Sequence, residues 1–313
     1  MAAVPFMMLG GALVAVQSRI NGALAEQVGE GLRASALTAV VSFGSGLAII
    51  TAVVVALPAG RRSMRRIFDA RSVKRLRWYE MLGGLCGAFF VASQGLAVGT
   101  IGVGLFIVAF TAGQSLGSLA VDHWGLGPGG RRPASVGRAV AASFAIAAVL
   151  VKAVDQIDAG ATWLTAGLAA LALVAGVTQA VQQAVNGRVS AVAGPLGTTW
   201  NNFAVGTAAL LVLLAASFLT GGRIDGLPTE PWYYAGGLVG IGFIVVAAVA
   251  VHRHGVLVLG LCMIAGQVVA AELLDLFDPT QKVGLLGVVG GVVAVAGVVL
   301  AFALSHMRDT LNG

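Results

Sequence analysis

Between residues 4 and 305 the chain is a succession of apolar runs, each about 20 residues long and each ended by a few polar or glycine-rich positions. A run of that length, coiled as an α-helix, spans the hydrocarbon of a bilayer. The runs do not alternate polar with apolar, so they do not read as strands of a transmembrane barrel. Hydrophobic residues make up 58% of the chain and charged residues 10%, far below the roughly 25% charge of soluble domains. The expected fold is an all-α integral membrane protein.

Ten transmembrane helices are expected, at about 4–26, 34–57, 78–98, 103–121, 137–154, 162–188, 198–219, 232–251, 256–276 and 283–305. The connections are short except for 58–77, which carries Arg61, Arg62, Arg65, Arg66, Arg71, Lys74, Arg75 and Arg77. Positive loops stay in the cytoplasm, which puts both termini there. Arg131, Arg132, Arg138, Arg188, Arg253 and Arg308 then fall on the same side, against Arg33, Lys152, Arg223 and Lys282 on the other. The net charge of +6 therefore reports topology rather than a nucleic-acid partner. The 45 glycines suit close helix packing in lipid. Cys86 and Cys262 lie inside apolar runs and are expected as free, buried thiols.

The chain repeats itself. Ala112-Gly113-Gln114 followed by Asp122 returns as Ala265-Gly266-Gln267 followed by Asp275. Gln17-x3-Asn21-Gly22 returns as Gln182-x3-Asn186-Gly187, and Ser42-Phe43-x-x-Gly46 as Asn202-Phe203-x-x-Gly206. Gly83-Gly84-Leu85-x-Gly87-x-x-Phe90 returns as Gly236-Gly237-Leu238-x-Gly240-x-x-Phe243. The order is the same in both halves, which gives a first repeat at 1–155 and a second at 156–313, together one membrane domain. Each half holds five helices, an odd number, so the second half enters the membrane inverted. Inverted repeats place a shared site near the bilayer midplane, at the pseudo-twofold axis.

These motifs resemble the drug/metabolite transporter superfamily, and more narrowly its YdcZ-type branch of inner-membrane exporters. The resemblance rests on Gln17-x3-Asn21-Gly22, on Ser42-Phe43-x-x-Gly46, and on Ala112-Gly113-Gln114 leading to Leu119-Ala120-Val121-Asp122. That branch often occurs as a single five-helix unit; here two units are fused. The resemblance implies a plasma (inner) membrane protein that carries out secondary transport, often export, of a small metabolite. The second copy departs where Asn202 replaces Ser42.

An amide deep in hydrocarbon needs a partner, a ligand or water. Gln114 and Gln267 are therefore expected to line a central cavity. Gln17 with Asn21, and Gln182 with Asn186, are four residues apart and share a helix face. They read either as a polar substrate path or as interhelical hydrogen bonds. Arg19 stands well inside the first run, where an arginine costs about 2.5–3.5 kcal/mol on insertion scales. It reads as an anchor for an anionic or zwitterionic substrate, or as a side chain that snorkels or pairs with Glu26. Glu272 is a candidate proton-coupling carboxylate, or an interfacial acid that reaches water.

The pattern Gly113-Gln114-Ser115-Leu116-Gly117 matches that of serine hydrolases, but it falls mid-helix with no histidine in any later apolar run. No phosphate loop or HExxH is present, so no enzyme, cofactor or metal site is expected. The expected partners are a small-molecule substrate, protons and the lipid bilayer, and the glycine motifs could build a homodimer. A lipid-linked carrier flippase and a non-transporting membrane scaffold are the alternatives to transport of a small metabolite.

Overall fold

The computed structural model describes residues 3–72, 75–127, 130–131, 143, 147, 163–276, 289, 292 and 296. All but five residues of the expected helices at 137–154 and 283–305 lie outside the described residues. The elements run α1 (Ala3–Val28), β1 (Gly29–Glu30), α2 (Gly31–Ala56), α3 (Pro58–Ser72), a 3-10 turn (Trp78–Leu82) and α4 (Gly83–Trp124). They continue with α5 (Trp163–Ser217), β2 (Arg223–Ile224), a second 3-10 turn (Pro231–Tyr234) and α6 (Gly236–Leu276).

Among the described residues, three helical stretches are long and apolar enough to cross a membrane: Gly31–Ala56, Trp78–Val121 and Trp163–Ser217. The last two have 44 and 55 residues, more than one crossing needs. Both are broken by a glycine. Gly102 (φ 73°, ψ 162°) divides α4, and Gly194 (φ 78°, ψ 173°) divides α5. Positive φ is strained for any residue with a Cβ. Pro195 follows at once, and its ring and missing N–H suit the first position of a new helix. The breaks fall where the sequence reading separates 78–98 from 103–121 and 162–188 from 198–219. Four aromatic markers of the membrane boundary, Trp78, Trp124, Trp163 and Trp232, are all exposed.

Residues 58–77, expected as a loop, contain a helix instead. Pro58 starts α3, and arginine is a good helix former. Gly60, Ser63 and Ile67 are buried at helical spacing, while Arg61, Arg62, Arg65 and Arg66 are exposed. Ile67 packs with Leu76, Val189 and Ala193.

The helices meet reciprocally across the two repeats. Lipid is as apolar as leucine, so close packing and polar contacts, not burial alone, hold such helices together. A Cβ on Gly113 would strike the Leu173 carbonyl, and one on Gly176 would strike the Phe110 carbonyl. In the same way Gly266 abuts the Met8 carbonyl and Gly11 the Met263 carbonyl. Thus α4 crosses α5 as α6 crosses α1, glycine against backbone in both directions. Each of these contacts made by one half on the other therefore has a counterpart made in return.

The direction of the helices follows from three contacts. Near the start of α2, Arg33 Nη2 donates to the Thr220 carbonyl just past the end of α5 (2.9 Å). Midway, the Phe43 and Phe203 rings pack at a 45° tilt with centroids 4.9 Å apart. Late in α2, Thr51 Oγ1 accepts from Trp200 Nε1, early in the second segment of α5 (3.1 Å). These repeat-equivalent segments therefore run antiparallel. At one end the seam is closed by β1 and β2, antiparallel with Gly29 opposite Ile224. At the other end, α3 lies over the α5 break.

Candidate functional site

Gln17 and Asn21 share one face of α1, as their spacing predicts, and that face meets the start of α6. Gln17 Nε2 donates to the Gly236 carbonyl (3.1 Å). Asn21 Nδ2 donates to Gln94 Oε1 (2.5 Å), and Gln94 Nε2 donates to Ser18 Oγ (2.8 Å). All four side chains are buried. The glycines make the approach feasible: a Cβ on Gly236 would run into Asn21 Oδ1 and Ser42 Oγ, and one on Gly240 into Gln17 Nε2 (2.6 Å).

The second half repeats this seam against α4. Gln182 Nε2 and Asn186 Nδ2 both donate to Asn202 Oδ1, at 2.7 Å and 3.0 Å. Asn186 Oδ1 presses on Gly83, and Gln182 Nε2 lies 2.7 Å from where a Gly87 Cβ would stand. So the Gln-x3-Asn motif of each half docks on the Gly-Gly-x-x-Gly motif of the other. The two seams differ in one respect. Asn202 is long enough to take both amides, whereas Ser42 in its place is not. The first half instead recruits Gln94, whose counterpart in the second half is Ala247.

Gln114 and Gln267 stand at the glycine crossings. A Cβ on Gly176 would lie 2.6 Å from the Gln114 amide nitrogen, and one on Gly11 would lie 2.8 Å from that of Gln267. The two residues are 4% and 1% exposed, and the Oε1 atom of each is buried with no hydrogen-bond partner among the described residues. Gln179 Oε1, on α5, is in the same state. Leaving a buried amide oxygen without a donor costs about 1–3 kcal/mol, so such atoms in a native protein point to water or a ligand. Among the described residues, no hydrogen bond joins Gln114 to Gln267.

Arg19 is half-buried, and it lies two residues from Gln17, so it leaves α1 on the side away from Gln17 and Asn21. Glu26 is exposed and covers Gly99. Glu272 is half-buried on α6, five residues beyond Gln267. Ser115 is inside α4, without the strand–turn–helix elbow that a hydrolase serine needs. Trp200 is committed to Thr51. Both cysteines are free thiols, Cys262 buried and Cys86 half-buried.

Two features escape sequence reasoning. Arg188 Nη1 pairs with Glu80 Oε1 at 2.8 Å, while its Nε and Nη2 donate to the carbonyls of Leu126 and Gly125 (2.7 and 3.1 Å). Glu80 is buried, and its other oxygen accepts from the Arg77 backbone N–H (2.8 Å). One arginine thus ties the start of α4, the end of α4 and α5 together. Secondly, Ser63 Oγ of α3 donates to the Ala193 carbonyl and accepts from the Gly197 N–H (3.0 Å). It caps both sides of the α5 break at Gly194. Nothing in the sequence spacing relates these partners, which are 108, 130 and 134 residues apart.

The family model described as "putative inner membrane exporter, YdcZ" matches residues 2–151 and again residues 167–300. The chain belongs to this family. Comparison with curated proteins finds no match. The YdcZ assignment agrees with the resemblance read from Gln17-x3-Asn21-Gly22 and Ala112-Gly113-Gln114. It also agrees with a multi-pass inner-membrane protein built from apolar helices. The family motifs themselves turn out to be the parts of the two halves that touch.

Proposed function

We propose that this YdcZ-family protein is a secondary exporter of a small polar metabolite, working by alternating access between two inverted five-helix repeats, with both termini cytoplasmic. The observation that carries this reading is the reciprocity of the seams. Gln17 and Asn21 dock on Gly236 and Gly240 as Gln182 and Asn186 dock on Gly83 and Gly87. Two halves held by interchangeable contacts have two related arrangements of similar energy, and alternating access needs exactly such a pair.

The substrate site in this reading is the space bordered by Gln114 and Gln267, whose buried oxygens have no donor among the described residues. Gln17, Asn21, Gln182 and Asn186 set the seams that open and close around it. Arg19 is the candidate selector for an anionic or zwitterionic substrate, and Glu272 the candidate proton-coupling group. The test is to profile small molecules in medium and cytosol of cells expressing wild type or the Gln114→Ala/Gln267→Ala double variant at equal membrane levels. A compound enriched in the medium only with wild type identifies the substrate class and the direction. Indistinguishable profiles refute the assignment of the two glutamines, and cytosolic enrichment refutes export.

A further inference from the structure

The α3 helix carries one buried face and two exposed flanks. Gly60, Ser63 and Ile67 are buried against the protein. Arg62, Arg66 and Asp69 are exposed along one flank. Arg61, Arg65 and Phe68 are spaced by four and three residues, so they form the edge on the other flank. All three are exposed, Phe68 by 58%. A large aromatic ring left in the open beside two arginines stands out on a helix whose Met64 and Ile67 side chains pack against the protein.

The helix follows α2 after the single residue Leu57, and Arg61 Nη1 donates to the Val55 carbonyl at the end of α2 (2.9 Å). That bond fixes α3 at the level where the transmembrane run ends. At this level lie glycerol and phosphate groups, with acyl chains just beneath. An aromatic ring suits the acyl boundary, and guanidinium groups suit phosphate, which they bind by two parallel N–H bonds. Five arginines against the one acid, Asp69, give the helix a positive field that attracts anionic lipid.

We propose that the Arg61–Arg65–Phe68 edge is a binding site for an anionic phospholipid. The headgroup phosphate lies on Arg61 and Arg65, and Phe68 enters the upper acyl region beside it. A lipid seated there holds α3 in place, and α3 in turn holds Ser63 on the α5 break. The inference is independent of the transported substrate and of the direction of transport.

Native mass spectrometry of the full-length protein, released from nanodiscs of equal phosphatidylglycerol and phosphatidylcholine, tests it. Wild type should retain phosphatidylglycerol over phosphatidylcholine by about fivefold or more, as expected if about 1 kcal/mol per arginine acts near the surface. Arg65→Gln/Phe68→Ala should remove most of that preference. Arg62→Gln/Arg66→Gln, which removes more charge but from the other flank, should leave most of it. Equal retention of the two lipids by wild type would overturn the proposal without recourse to any variant. An equal loss in the two variants would also overturn it, since net charge rather than the edge would then be responsible. Soluble glycerol phosphate at millimolar concentration should not displace the lipid, and displacement would show a plain phosphate site in place of a lipid site.

Discussion

The Phe43 and Phe203 rings are 4.9 Å apart between centroids, and each ring fills the space above the other helix's glycine. Phe203 covers Gly46 and Phe43 covers Gly206, so one contact is built twice across the centre of the molecule. A methyl group on either glycine would have to push an aromatic ring out of a packed position. Gly46→Ala and Gly206→Ala should each destabilise by about 1–3 kcal/mol, and by similar amounts. Melting temperatures in detergent check this; a cost at one glycine and none at the other would contradict the twofold.

Gly113 and Gly44 allow a sharper comparison within helices. A Cβ on Gly113 would strike the Leu173 carbonyl, which is backbone and cannot move aside. Around Gly44 there is nothing within 4 Å. Gly113→Ala should therefore destabilise strongly, whereas Gly44→Ala should stabilise by up to about 1 kcal/mol through helix propensity. Thermal unfolding of the two variants, side by side, gives the sign of each effect.

Ser63 caps the α5 break from both sides. Ser63→Ala leaves the Gly197 N–H without its acceptor, at a cost of about 1–3 kcal/mol. Hydrogen exchange at Gly197 should accelerate about tenfold or more, while amides in α1 should not change. Unaltered exchange at Gly197 would show that the break is held by something else.

Glu80 and Arg188 should be energetically coupled. Glu80 is buried, so removing Arg188 leaves a carboxylate without its counter-charge. A double-mutant cycle with Glu80→Gln and Arg188→Gln should return a coupling of about 1–3 kcal/mol. A value near zero would mean that the pair is a surface contact despite its burial. Because Arg188 also holds the Gly125 and Leu126 carbonyls, Arg188→Gln should cost more than Glu80→Gln.

The parts of this fold that were legible in the sequence are those governed by local rules. Apolar run length gave apolar helices with boundaries near 98–103 and 188–198, and the repeated motifs gave the correspondence between the halves. Which motif touches which was not legible, because a repeat says what recurs and not what meets. Gln17 and Gly236 are 219 residues apart, and only the chain's path across the membrane brings them together. The Glu80–Arg188 pair was hidden for a similar reason: each residue looked like an ordinary boundary charge. The α3 helix was hidden by its own arginines. Their density reads as a solvated loop unless the small and apolar residues between them are seen to recur every three or four positions. At Gln114 and Gln267 the sequence showed buried amides, and the structure adds that their oxygens have no donor among the described residues.

Alternating access itself is tested most directly by distances at the two ends of the seam. Spin labels would be placed at Glu30→Cys with Leu219→Cys near the β1–β2 pair, and at Arg66→Cys with Ala191→Cys beside α3. Cys86 and Cys262 would first be replaced by alanine, and the protein reconstituted in lipid. The account predicts two distance populations for each pair, with conditions that lengthen one pair shortening the other. A single narrow distance at both ends under all conditions would contradict it, and would leave a rigid scaffold in its place.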